Sequence, residues 1–241
     1  AVIVTLDSAA KGVFTTGSLT ASGFVGAGSG VYTFSGTASA AQTAIRQLVF
    51  DPTENHVAPA QTETTTFTVS VNDALAAAVT NNTSTVVVTS INDVPAIGGA
   101  VAGQAIDDTS TRTLFSAVPI TDPDVQTLAV SVKLDTAAKG VFTAASLTAS
   151  GFASAGGGEY TFSGTAAAAQ AAIRKLVFDP ANNRVTPGQT ETTTFTISVD
   201  DGVASAVTDN MTTVIATSVN DAPAIAGAAS GVAIDDNETT E

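Results

Sequence analysis

Apolar and polar residues alternate along much of this chain. In TTTFTISVD, residues 192–200, Phe195, Ile197 and Val199 fall on one side while Thr and Ser fall on the other. That period of two marks a strand with one buried face. TLAVSVKL (127–134) and EYTFSG (159–164) carry the same alternation. One stretch departs from it: GTAAAAQAAIRKL (164–176) is rich in helix formers and places Ala172, Ile173 and Leu176 at i, i+1 and i+4. This predicts a helix of about two to three turns. Pro180, in the VFDP that follows, bars any continuation. Gly- and Ser-rich runs such as GFASAGGGE (151–159) read as turns. About seven short strands with a single helical crossover predict an all-β, Greek-key β-sandwich. A parallel α/β fold needs a helix after most strands, and the pattern supplies one.

The whole pattern occurs twice. Residues 1–113 align without a gap on residues 129–241 with 76 identities in 113 positions, which defines a tandem repeat. LDSAAKGVFT falls on LDTAAKGVFT, YTFSGTASAAQTAIRQLVFDP on YTFSGTAAAAQAAIRKLVFDP, and QTETTTFTVSVND on QTETTTFTISVDD. INDVPAI (91–97) returns as VNDAPAI (219–225), so that Asn92 and Asn220 lie 220 − 92 = 128 residues apart. The alignment divides the chain into a first unit, 1–94, without a counterpart of residues 95–128; a complete unit, 95–221; and the opening of a third, 222–241. In VNDAPAI, Pro223 is expected to stiffen the exit and Ala224-Ile225 to begin a strand.

Composition narrows the function. Much of the 44% hydrophobic content is Ala and Val, so each core should be thin. The chain has no Cys, no Trp, one Met and one His, which removes disulfides, thiol nucleophiles and zinc sites of the Cys/His type. Eight Lys and Arg against 22 Asp and Glu give a net charge of −14, which repels nucleic acid and anionic membrane and attracts cations. No run of 18 apolar residues is present, so no membrane insertion is expected, and any secretion signal is expected outside this stretch.

The acids collect at predicted strand ends: Asp107-Asp108, Asp122-Pro-Asp124, Asp179, Glu191, Asp200-Asp201 and Asn220-Asp221. Carboxylates and amides at this density, without a matching set of Lys or Arg, repel one another unless a cation joins them. Such hard oxygen donors suit Ca²⁺, which takes about six to eight of them in adaptable geometry. The competing reading is turn chemistry alone, since Asp and Asn before Pro form turns without metal. Catalysis is not expected. The single His56 aligns with Arg184, which leaves no repeated Ser-His-Asp set, and a glycosidase-like carboxylate pair has no aromatic cleft to sit in. Tyr32 and Tyr160 lie in the alternating YTFSG strand and read as packing residues. Arg46 and Arg174 are expected to cap or pair near the helix C-terminus, where the dipole favours cations.

The run AIDD, ITDPDVQTLAVSV, QTETTTFTISVDDG and VTSVNDAPAI resembles the bacterial cadherin-like tandem repeats of large secreted adhesins of the RTX or biofilm type. The resemblance covers essentially the whole chain and implies cadherin-like, Ig-like sandwiches with calcium between successive units. Carried over residue by residue, it implies linker ligands at Asn92-Asp93 and Asn220-Asp221, the latter pair without its Asp-Pro-Asp partner downstream. It also implies an Asp-x-Asp at Asp122 and Asp124, a hairpin acid at Asp200 or Asp201 with Asp73 in the first copy, and a first-strand acid at Asp107 or Asp108 with Asp235 and Asp236 in the third. Glu63 and Glu191 stand for the acid before the sixth strand. The intact junction would then draw on Glu63, Asn92, Asp93, Asp122, Asp124 and Asp200 or Asp201, with one or two ions. The implied role is a calcium-rigidified spacer of a secreted or cell-surface bacterial adhesin, supporting adhesion or biofilm formation. The alternatives are a calcium-dependent carbohydrate-binding module and an interaction unit. The partners expected are neighbouring repeats, extracellular polysaccharide or homotypic contacts, the last through an unpaired edge in the first unit.

Overall fold

The computed structural model describes residues 1–227. The first unit runs β1 (Val2–Leu6), β2 (Gly12–Phe14), α1 (Thr16–Ser22), β3 (Val25–Gly28), β4 (Val31–Phe34), α2 (Ala38–Ile45), β5 (Phe50–Pro52), β6 (Thr62–Val71) and β7 (Val79–Thr89). The second begins with β8 (Ala96–Ile97), β9 (Gln104–Asp107), β10 (Arg112–Thr113) and β11 (Ile120–Thr121), a segment the first does not have. It then repeats the series as β12 (Leu128–Leu134), β13 (Gly140–Phe142), α3 (Ala144–Ser150), β14 (Ala153–Gly156), β15 (Glu159–Gly164), α4 (Ala166–Ile173), β16 (Val177–Pro180), β17 (Thr190–Asp200) and β18 (Val207–Thr217).

The second unit is an all-β sandwich. One layer is a six-stranded sheet ordered β14-β15-β12-β17-β18-β9; β10-β16-β13 and the pair β8-β11 form the other strands around the same core. β12 lies between β15 and β17, each reached only after the chain leaves the sheet through β13 or β16. Every pairing is antiparallel except β9 on β18. The alternating strands behave as their sequences require: in β17, Phe195, Ile197 and Val199 are fully buried. Phe195 meets Phe178 of β16 edge-on at 5.0 Å and Phe115, from the loop after β10, at 5.8 Å. Tyr160 is buried against Phe142 at 4.9 Å, and its hydroxyl accepts the Phe142 N–H. Gly140 is glycine for a packing reason, since a Cβ there would lie 2.6 Å from the Phe178 ring.

Several expectations change. The predicted helix is present but shorter, Ala166–Ile173, and ends well before Pro180, which closes strand β16 instead. Leu176 is buried beyond the helix, not on it. Each unit has a second helix, α1 or α3, that composition hid. These seven-residue segments are rich in Ser and Thr, and their caps define them: Thr143 accepts the Ser146 N–H at one end and Gly151 takes a left-handed φ of 79° at the other. GFASAGGGE is not all turn, because Ala153–Gly156 forms β14, paired with β15. Strands outnumber the expected seven because β8, β10 and β11 have two residues each. Ala96-Ile97 does form a strand, on β11, whereas Ala224-Ile225 forms none among the described residues.

The first unit keeps the same layers, with sheet order β3-β4-β1-β6-β7 and a separate pair β2-β5. Its core is smaller. Phe67 keeps 8% of its surface exposed where its equivalent Phe195, which packs against Phe115, keeps none.

Truncating Phe195 to Ala should therefore cost about 3–5 kcal/mol of second-unit stability. Phe67→Ala should cost the first unit less. Hydrogen exchange in a denaturant series, read separately on β17 and β6 amides, checks the ordering.

Candidate functional site

The acids of the junction are placed by their own loops. After β17, Asp201 Oδ1 accepts the N–H groups of Val203 and Ala204, both at 2.8 Å, in a tight turn. This fixes the carboxyl and leaves Oδ2 facing the linker, where it accepts Asn92 Nδ2 at 2.9 Å. Burial pushes the Asp201 carboxyl up, but the Asn92 amide and the two N–H groups outweigh it and hold it below the ordinary value. Its neighbour Asp200 turns to the Gly202 N–H instead, so Asp201 is the residue of the pair that meets the linker.

The loop after β11 supplies the rest. Asp122 Oδ1 accepts the Asp124 N–H at 2.9 Å, and Asp124 Oδ2 accepts the Asp93 N–H at 2.7 Å. Gln126 Nε2 donates to Asn92 Oδ1 at 3.2 Å. Asp93 Oδ2 meanwhile accepts Asn55 Nδ2 of the first unit at 3.0 Å. The Asn92-Asp93 pair thus touches both units.

Two carboxylate oxygens remain unsatisfied. Asp122 Oδ2 and Asp124 Oδ1 are buried and have no hydrogen-bond partner, and no Lys, Arg or His among the described residues bridges either carboxylate. Buried carboxylate oxygens without a donor or cation are costly. Among the described residues no three Asp, Glu, His or Cys side chains are gathered into a metal cluster, so neither the Asp93 nor the Asp201 carboxylate is drawn in with Asp122 and Asp124. The donor set that does converge on the linker is two Asp loops plus an amide whose oxygen and nitrogen exchange places on a half-turn.

The remaining acids have other partners. Glu191 forms an ion pair with Arg184 at 2.7 Å, whose guanidinium holds the carboxyl below its ordinary range; Glu63 takes His56 Nδ1 at 2.8 Å. Each is tied within its own unit and not to the linker. Asp108 is only 3% exposed, and its oxygens accept the N–H groups of Asn183 and Val219, both at 2.9 Å. Those bonds depress its pKa. Asp107 beside it is exposed at the end of β9. Asn220 donates to the Asp221 carbonyl, and Asp221 accepts Asn183 Nδ2; among the described residues no Asp-Pro-Asp loop meets them. Asp73 repeats the Asp201 turn on the Leu75 and Ala76 N–H groups. Asp235 and Asp236 lie outside the described residues. Arg174 is the C-cap residue of α4, as Arg46 is of α2, and its side chain also donates from Nε to the Val118 carbonyl at 2.9 Å, tying α4 to the segment before β11.

Sequence reasoning missed Gln126 and the pair Asn55 and Asn183. A signal for the Asn residues existed: between DPTENHVAPA and DPANNRVTPG, they are retained while both their neighbours change. Each sits at positive φ, 53° and 58°, a conformation Asn tolerates, and each reaches the linker acid of its own unit.

No protein-family model matches the chain, and no curated protein matches it. Among solved structures it is similar to the protocadherin gammaB7 EC3-6 cis-dimer (12% identity, TM-score 0.32, over 90% of this chain and 40% of that one). It is also similar to protocadherin gamma B2 extracellular cadherin domains 3–6 (12%, 0.30, over 90% and 41%) and to domains 4–9 of the surface layer protein SbsC (14%, 0.31, over 94% and 32%). The chain spans less than half the length of each. No helix among the described residues is long and apolar enough to cross a membrane.

Asp108 gives a pH prediction with a definite sign. Its folded pKa is depressed, so its contribution is complete above the ordinary carboxylate value, about 3.9, and is lost as pH falls through the lower folded value. Asp108→Asn should destabilise the second unit at pH 7, and the gap to the native chain should narrow below about pH 4. Urea unfolding at a series of pH values checks this; a gap independent of pH would contradict it.

Proposed function

We propose that the chain is a piece of a repeat array that serves as a calcium-stiffened spacer in a secreted or cell-surface adhesin. The observation that carries the reading is the pair of buried, partnerless oxygens on Asp122 and Asp124 beside a linker that touches both units. Asp122, Asp124 and the linker residues Asn92 and Asp93 would hold the ion, with Asp201 available once the Asn92 amide turns its oxygen inward. The ion supplies positive charge that a loop with no Lys or Arg partner lacks. The chain's own part is to fix the linker: the Asp93 N–H is bound by Asp124, the Asn92 side chain by Asp201 and Gln126, and the Asp93 carboxylate by Asn55. Closing these contacts at once leaves the linker few ways to bend, and repeated along an array they would project a distal domain away from the cell. The net charge of −14 supports the cation preference.

Extracellular modules bind calcium with dissociation constants of about 10⁻⁴ to 10⁻³ M, so millimolar calcium should add about 1 kcal/mol at one such site. Thermal melting and small-angle scattering in calcium should show a higher transition and a narrower range of interunit distances than in chelator. Asp122→Asn separates this from turn chemistry by its sign. In chelator it relieves an unpaired buried charge and should match or exceed the native chain; in calcium it should fall below it. Identical native melting and scattering curves in calcium and chelator would refute the calcium reading.

A further inference from the structure

Three asparagines recur at the same place in both units: Asn55 and Asn183, Asn82 and Asn210, Asn92 and Asn220. The first and third pairs hydrogen-bond through their side chains at the linker. Asn82 and Asn210 make no side-chain hydrogen bond among the described residues. Nor does the backbone call for asparagine there, since neither residue has a positive φ and Asn is disfavoured in strands. Both lie in a bulge. β17 sets Phe195 opposite Thr212 and Ile197 opposite Asp209, so Thr196 alone faces Asn210 and Met211; Thr68 faces Asn82 and Thr83 in the same way. The residue before each asparagine makes the turn, with Asp209 Oδ1 accepting the Met211 N–H and Asn81 Oδ1 the Thr83 N–H, both at 3.0 Å. Asn82 and Asn210 themselves are exposed.

Two residues further on, each has a hydroxyl, Ser84 or Thr212. Thr212 is only 1% exposed, and its Oγ1 has no hydrogen-bond partner. Valine would fill that space without the cost of a buried, unpaired hydroxyl. Between NNTST (81–85) and DNMTT (209–213), the residues before and after the asparagine change, and Ser84 becomes Thr212. What persists is an outward Asn and, two residues on, a hydroxyl, and the fold uses neither side chain. That pattern, Asn-x-Ser/Thr with x other than Pro, is the acceptor triplet for N-linked sugar. Asn81 also stands two residues before a hydroxyl, but its amide oxygen is taken by the turn and by Thr83 Oγ1 at 2.8 Å, and its equivalent is Asp209.

We infer that Asn82 and Asn210 are acceptors for N-linked carbohydrate. Nδ2 attacks the anomeric carbon of a sugar activated as a glycosyl diphosphate ester. A C–N bond forms as the C–O bond to phosphate breaks, the diphosphate leaves with the bonding pair, and the amide gives one proton to a base of the transferase. The burial of Thr212 sets the timing: a transferase that reads this hydroxyl must meet the second unit before β18 closes on β17. On the folded unit the sugar stands on the bulge, outside the stretch Val214 to Thr217 that β9 covers. A bulky hydrated group there shields an exposed strand edge from lateral pairing. It needs no calcium.

Peptide mapping by mass spectrometry, on the chain isolated from the cells that make it, should place sugar mass on Asn82 and Asn210. A lone hexose would assign the donor to the nucleotide sugars, and a preassembled oligosaccharide to the lipid-linked diphosphates. Thr212→Val, made in the same cells, should strip the sugar from Asn210 and leave that on Asn82. In chain made by cell-free translation, and so without sugar, Thr212→Val and Asn210→Thr should each melt no lower than the native sequence. Bare peptides at both sites would overturn the proposal. So would a sugar on Asn210 that survives Thr212→Val, or a melting point several degrees lower in either sugar-free variant, which would give that residue a structural task.

Discussion

Backbone N–H groups at the ends of a sandwich have no strand to pair with, and in this protein carboxylates accept them. Asp201 takes two from the turn after β17, Asp108 joins one from the loop after β16 to one after β18, and Asp124 takes the one that begins the second unit's linker. The Asp108 and Asp124 bonds join segments distant along the chain, and the Asp201 bonds close a turn. A backbone donor asks nothing of the surrounding charge, so these carboxylates need no basic partner. The cost appears where donors run out, at Asp122 Oδ2 and Asp124 Oδ1.

The two units act as a controlled comparison. They differ little in sequence over their common part, yet Val214 is buried and Val86 is not, and Phe195 is closed over while Phe67 is not. What separates them is the segment with β8 to β11. It brings Phe115, Val118 and Ile120 into the core and is tied down by polar contacts from Arg174 and Gln170 on α4. Arg46 and Gln42 hold the same positions on α2. Most of the fold is therefore local, and its closure is not.

The strands were legible because alternation is a local signal: Phe195, Ile197 and Val199 could face only one way. Helix α3 was not, because Ser and Thr lower its propensity and only the Thr143 and Gly151 caps declare it. At the junction, the acid clusters pointed to Asp122 and Asp124 and the resemblance to Asn92, and the fold does bring them to one place. Sequence could not choose between Asp200 and Asp201, since a turn one residue longer would have exchanged them. Nor could it foresee that Glu63 and Glu191 are held by His56 and Arg184, a pairing made across a loop whose shape depends on Asn55 and Asn183.

The parallel alignment of β9 with β18 has a mechanical meaning. In the second unit these are an early and the last strand, and they run the same way side by side. Tension applied through the neighbouring units pulls β9 and β18 in opposite directions along their length, so the hydrogen bonds between them are loaded together in shear and do not open one at a time. The Asp108 contacts to Asn183 and Val219 lie at the end of the same seam. A unit built this way resists stretching through the geometry of its entry and exit, whatever the depth of its core.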